Sequence, residues 1–364
     1  MRVQRAAFSV TSAVSALLIH GIVGCSAMAA AVDDQSPATE VVGTTPMAAL
    51  EGMPLVLVDL FARRAQPDPS GALGRNRQGY FHVRFQYGLH ALADHARRHR
   101  RQDSVDAFLR ALEYALAKQE ANGGFRIAVP AALGSEAPPA ASDLASGSAF
   151  FLASAGSGIM ALHSSAWFQE DPALAKERER LNALRQPLAR SLTYLIEHAE
   201  LLLAADAAAP NRLLFNAVAY HSLGLYLDHD QAQNFAARFR DAALQLQHAE
   251  GYFIENGGYD SSYNGVALAL GYRLLLLQPD QHQLRESLTR SMAWQRTRVA
   301  ANGEVLSAGN TRVHAEGESF LGQRKGLDIP HILEAYALAQ AHSLDPALEQ
   351  EALRMMRFYQ QQQR

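Results

Sequence analysis

Cysteine is almost absent from this chain: its 364 residues include one, Cys25. A single cysteine excludes any disulfide within the chain, so the folded body has to be held by packing alone. With 48% hydrophobic residues the chain has the material for such a core. Charge of one sign is also in short supply. The net charge of −3 and isoelectric point near 6.5 exclude a protein built to bind nucleic acid in general. Long alternations of β-branched residues are missing as well, which excludes a sizeable sheet.

What is present begins at the first residues. Met1-Arg2-Val3-Gln4-Arg5 is a basic start, an uncharged stretch runs from Ala6, and Ile22-Val23-Gly24-Cys25 places small residues before the cysteine. That order reads as a bacterial lipoprotein signal over residues 1–25, with Cys25 acylated as the mature N-terminus. Two other readings stay open: a secretory signal cut near Ala27-Met28-Ala29, and an uncleaved anchor helix of roughly 20 residues. Residues 26–45 are rich in Ala, Ser, Asp and Thr without periodicity, as suits a flexible tether. The expected location is the periplasmic side of the envelope, attached to the membrane through the lipid on Cys25. Ser26 offers no acidic retention signal, and resemblance to other bacterial lipoproteins implies outer-membrane sorting. A monomer is expected.

From residue 46 to 364 apolar residues recur every three and four positions, as in Phe108, Leu109, Leu112, Ala115 and Leu116. The spacing predicts helices at 47–64, 81–100, 103–120, 146–165, 173–204, 211–228, 231–248, 264–278, 281–299, 328–342 and 345–361, hence one all-α domain. The loop at 126–145, with Pro130, Gly134, Pro138 and Pro139, is long enough to form a flap. Connections recur too. Gln119-Glu120-Ala121-Asn122-Gly123-Gly124-Phe125, Gln247-His248-Ala249-Glu250-Gly251-Tyr252-Phe253 and Val299-Ala300-Ala301-Asn302-Gly303-Glu304-Val305 each end a helix with a polar, glycine-bearing turn and an apolar extended residue. Helical hairpins repeated with like loops at one end predict a curved array, either an open solenoid or a closed or incomplete (α/α) toroid. The loops at 122–145, 251–265 and 303–322 would then share one rim.

Three stretches concentrate polar chemistry. Asn211-Arg212-Leu213-Leu214-Phe215-Asn216-Ala217-Val218-Ala219-Tyr220-His221 puts Arg212, Asn216 and Tyr220 four residues apart, on one helix face, with His221 beside them. Between Gly251 and Gly265, glycines alternate with Tyr252, Glu255, Asn256, Tyr259, Asp260 and Tyr263 before an apolar helix begins. Such a conformationally special loop suits binding, although Asp260 or Ser261 as a plain helix cap is an equally physical reading. In the third, Arg312 can grip a carboxylate with two hydrogen bonds and His314 can carry protons near neutral pH. His314 and Glu316 lack the His-x-x-His, cysteine pair or carboxylate-rich loop of a metal site, so neither metal nor other cofactor is expected. The run Arg97, Arg98, His99, Arg100 and Arg101 is either the solvated end of a helix or a basic rim for an anionic polymer.

The stretch from Glu250 to Gly265 resembles the loop-to-helix segment of α/α-toroid polysaccharide lyases of the heparinase II/III-like and chondroitin AC lyase-like groups. The stretch from Asn211 to His221 is similar to their inner-helix segment bearing an Asn and a His. No β-sandwich pattern follows the helices, so the resemblance implies a toroid-only member. It implies cleavage of an acidic, uronate-containing polysaccharide by β-elimination, which needs a neutralised carboxylate, removal of the α-proton and protonation of the leaving oxygen. On that reading Tyr263 is the acid/base, Asn216 and Arg312 hold the carboxylate, and His221 or His314 assists. Arg212, Tyr220, Tyr252, Glu255, Asn256, Tyr259 and Asp260 would bind the chain of sugars. Two alternatives remain: a toroid hydrolase using Glu255 and Asp260, and a non-catalytic lipoprotein binding glycan or an envelope protein.

Overall fold

Helices form along most of the three-and-four spacing, and three of them end on a non-glycine residue in the left-handed conformation, Arg100, Asp228 and Leu344. The structure, a computed structural model, describes residues 45–130, 139–314, 319–320 and 323–362. Cys25, the signal and the tether up to residue 44 lie outside these residues, as do Gly134, Pro138 and Glu316. The described part is mostly helical, as expected. Its helices are α1 (Leu55–Arg64), α2 (His90–His99), α3 (Gln102–Leu116), α4 (Ala141–His163), α5 (Ala166–Glu170), α6 (Ala175–Ala183) and α7 (Arg185–Glu197). After these come α8 (Ala199–Ala205), α9 (Pro210–Leu227), α10 (Asp230–Gln245), α11 (Ser261–Leu277), α12 (His282–Thr297), α13 (Ile329–Ser343) and α14 (Pro346–Gln361). A two-residue antiparallel pair, β1 (Ser319–Phe320) with β2 (Gln323–Arg324), lies before α13.

Three predicted spans are corrected. The helix predicted at 47–64 is a 3-10 turn, Ala48–Gly52, followed after extended Met53 and Pro54 by α1. Residues 81–89 are not the start of α2: Phe81 bridges to Ala128 and Gly88 adopts a φ of 93°, which breaks the helical path. The predicted helix at 173–204 is cut into α6, α7 and α8, with junctions at Leu184 and His198.

Burial separates two kinds of helix. α4, α9, α11 and α13 are apolar around most of their circumference and almost wholly buried. α3, α7, α10, α12 and α14 bury one stripe and keep charge outside. Each buried helix packs on the next: α2 on α4, α4 on α9, α9 on α11, α11 on α13, while α1 touches both α13 and α2. α4 is long and apolar enough to cross a membrane, but 89% of that window is buried inside the fold, as in a core helix.

One turn recurs four times among the described residues. Gly71, Gly123, Gly251 and Gly303 have φ of 96°, 89°, 106° and 94°, and each presses its α-carbon against the backbone of a later helix, at Arg110, Arg190, Arg290 and Arg354 respectively. The amides close identical rings: Gly123 N–H donates to Glu120 O (2.9 Å), Gly251 to His248 O (2.9 Å), Gly303 to Ala300 O (2.8 Å) and Gly71 to Asp68 O (2.9 Å). The last repeat carries Pro67-Asp68-Pro69-Ser70 in place of the Ala-Asn or Ala-Glu pattern, which hid it in the sequence. These turns follow α1, α3, α10 and α12, and bring the chain back to the N-terminal ends of buried helices.

Candidate functional site

A cavity of about 350 Å³ opens where those N-terminal ends meet. Six cationic side chains line it: Arg75, Arg84, Arg212, Arg312, Arg324 and Lys325. Asp328 is the one carboxylate among its described lining residues. Such an imbalance in a concave, partly desolvated space attracts an anion strongly. Arg84 makes the point locally. Burial first, and then the like charge of Arg212, pull its guanidinium down to about 10. It stacks on Phe150 (4.4 Å to the ring centre) and donates to Ser146 Oγ at 3.1 Å.

Tyr263 stands in the first turn of α11, inside this cavity. Lys325 Nζ donates to its hydroxyl oxygen at 3.0 Å, and the Arg312 guanidinium lies over its ring at 4.2 Å. Its position is set by Asp260, the fully buried cap of α11. One carboxylate oxygen of Asp260 accepts from the amides of Ser262 and Tyr263 (3.0 Å each), and the other from the amides of Arg312 (3.0 Å) and Val313 (2.8 Å). Asp260 thus splices the 251–265 loop to the 309–313 loop. Both its oxygens are occupied, so it is not free to act as the base of a hydrolase. Glu255 is buried against the Arg312 guanidinium, and burial, outweighing that partner, raises its carboxyl. Asn256 takes a φ of 53° in the exposed two-residue turn between Glu255 and Gly258.

A second proton-carrying group enters from α13. His331 Nδ1 meets Asp328 Oδ2 at 2.9 Å, its Nε2 meets the Tyr87 hydroxyl at 3.1 Å, and the two rings stack 5.2 Å apart. Burial opposes the imidazolium, but the charge and hydrogen bond of Asp328, with Glu334 behind them, raise His331 above its ordinary value. Burial likewise works against the Asp328 carboxylate, and His331 overrides it to lower that group. Asn211, in the first turn of α9, lines the cavity with a buried carboxamide oxygen that has no hydrogen-bond partner among the described residues.

The structure brings together Tyr263, Arg312 and Arg212 of the residues expected from sequence, and separates others from them. Asn216 is buried and donates to Asp206 at 3.0 Å; Arg212 meets the same carboxylate at 3.3 Å, so Asn216 props Arg212 and does not line the cavity. Tyr220 is buried against Phe235 and Phe239 and donates to the Leu195 carbonyl. His221 lies further along α9, bonded to Gln278 Nε2 at 2.8 Å, and burial pushes its imidazole down to about 4. Both are core residues: the cavity meets α9 at Asn211, Arg212 and Phe215, and at about 1.5 Å of rise per residue Tyr220 and His221 lie more than a turn beyond it. His314 is exposed and does not line the cavity. Tyr252 and Tyr259 pack outside it on Trp294 (5.1 and 5.5 Å between rings).

The basic run at 97–101 resolves into an ordinary helix end. Arg97 and Arg98 grip Glu51 (2.7 and 2.8 Å), and Arg101 binds Asp103 (2.5 Å). Sequence reasoning missed Arg75, Arg84, Tyr87, Asn211, Lys325 and His331. Three of these had a local signal: Asn211 opens the polar stretch that runs to His221, and Arg324-Lys325 precedes the Asp328-Ile329-Pro330-His331 helix start. Compared with known proteins, the chain matches no family model and no curated sequence.

Proposed function

We propose that this protein cleaves an acidic polysaccharide by β-elimination at the cavity around Tyr263. The observation that carries the reading is the hydroxyl of Tyr263, held at 3.0 Å by an ammonium and placed among guanidinium groups that outnumber the nearby carboxylates. Arg84, Arg212 and Arg312 hold the uronate carboxylate and spread the charge that builds when the α-proton leaves. Tyr263 takes and returns the proton, ending on the leaving glycosidic oxygen, while Lys325 stands where negative charge develops on the phenol oxygen. Asn211 assumes the carboxylate contact that the sequence reading gave to Asn216, and His331 takes the assisting role given there to His221 or His314. The neighbour order of the buried helices, returning from α13 through α1 to α2, supports an (α/α) toroid as the frame. The lipid on Cys25, outer-membrane anchorage facing the periplasm and a monomeric state complete the reading.

The test is incubation with alginate, glycosaminoglycans, pectin and neutral polymers, followed by ultraviolet absorbance of the unsaturated uronate product. Tyr263→Phe should lower turnover about 100-fold or more and leave binding within a few-fold, because one hydroxyl is lost and the ring stays. Arg312→Ala should weaken both binding and turnover. Full activity in Tyr263→Phe, or no acidic polymer cleaved by the unaltered protein, would replace the lyase with the binding-only reading. New reducing ends without absorbance would indicate hydrolysis.

A further inference from the structure

We propose that Asp59, His95 and His99 form a zinc site that clamps α1 to α2. His95 and His99 are one turn apart on α2 and point their Nε2 atoms at Asp59 Oδ1 on α1, at 3.6 and 2.8 Å. The three donor atoms lie within 4.8 Å of one another. Two donors on a tetrahedral zinc, each about 2 Å from the ion, stand about 3.4 Å apart, so these separations bracket what the metal requires. Asp59 Oδ1 and His99 Nε2 are buried and, close as they are, form no hydrogen bond of good geometry among the described residues. A shared ion would satisfy both. His95 is also oriented from behind, since its Nδ1 meets Ser104 Oγ at 2.9 Å and leaves Nε2 for the metal, as metal-binding histidines require.

The hollow is open enough for an ion to enter, with the three side chains 22%, 29% and 39% exposed for His95, His99 and Asp59. Arg63 and Arg101 also line it, but Arg101 is fastened to Asp103 by bonds of 3.1 and 2.5 Å. Arg63 then stands ready for a water or anion completing the coordination. None of these residues lines the cavity around Tyr263, so the site is independent of the proposed chemistry there. The His-x-x-x-His spacing of His95 and His99 supplies two ligands on one helix, and the third, Asp59, comes from another.

The full chain, purified without a polyhistidine tag and stripped with a chelator, is titrated with zinc chloride by calorimetry. Expected is one zinc per chain, with affinity falling about 100-fold or more in His95→Ala and in His99→Ala, and about 10-fold in Ser104→Ala. Zinc should also raise the Tm of the unaltered protein and not that of the double variant. Circular dichroism checks that the variants fold, and Asp59→Asn replaces any histidine variant that does not. No zinc uptake by the unaltered protein, or uptake unchanged in His95→Ala/His99→Ala, would overturn the proposal.

Discussion

His221 and Asp260 show how one side chain's surroundings decide between chemistry and structure. Each was a candidate for the site, and each is held elsewhere: His221 through Nδ1 to Gln278, Asp260 through both oxygens to four backbone amides. For His221 the consequence is measurable. Burial holds the folded imidazole at about 4, below the ordinary 6.5 of the unfolded chain. Between those values the unfolded state binds the proton and the folded state refuses it, so stability is level above about pH 6.5 and falls as pH drops towards 4. His221→Gln should flatten urea midpoints measured across that window, by at most about 1.4 kcal/mol per pH unit. An identical pH slope in the variant would contradict this account.

At the scale of elements, the repeated glycine turn does the positioning. Each copy follows a helix, reverses the chain with a left-handed glycine, and leans on the backbone of a later helix so closely that no side chain fits. In Gly251→Ala the new methyl carbon would stand 2.6 Å from the Arg290 carbonyl oxygen, on top of the strain of a positive φ. Gly79, with a φ of 84° and nothing near the equivalent position, provides the contrast. Gly79→Ala should cost about 1 kcal/mol through backbone strain alone, and Gly251→Ala at least about 3 kcal/mol, because the turn must lift from α12. Equal losses in chemical denaturation would mean the close approach adds nothing.

At the scale of the whole helical body, a buried ion cluster joins three of its helices. Arg273 on α11 binds Asp94 on α2 and Glu334 on α13, both at 2.6 Å, and His90 meets Glu334 at 3.2 Å. His90 packs edge-on to Tyr87 (5.4 Å), which stacks on His331, so the cluster continues to the wall of the cavity. Burial works against the Glu334 carboxylate, yet Arg273 holds it far below its usual range. Arg273→Met would leave two buried carboxylates without their cation and should cost about 3–5 kcal/mol in unfolding free energy. A loss under about 1 kcal/mol would show that the carboxylates find other partners or take up protons.

Helical character, the three Asn-Gly or Glu-Gly turns and the candidacy of Tyr263 and Arg312, which both line the cavity, were legible locally, because periodicity, turn chemistry and capping act within a few residues. The sequence alone therefore determined that the chain is mostly helical, which face of each outer helix is apolar, and three of the four glycine turns. It did not determine the cavity. Arg75, Arg84, Tyr87, Asn211, Lys325 and His331 come from five separate segments, and their convergence depends on how whole helices pack. The same holds for Asp59 beside His95 and His99, and for Arg273 between Asp94 and Glu334, 179 and 61 residues away in the chain. Tertiary structure also decided that Tyr220 and His221 belong to the core, since burial depends on neighbours that a helical pattern does not name.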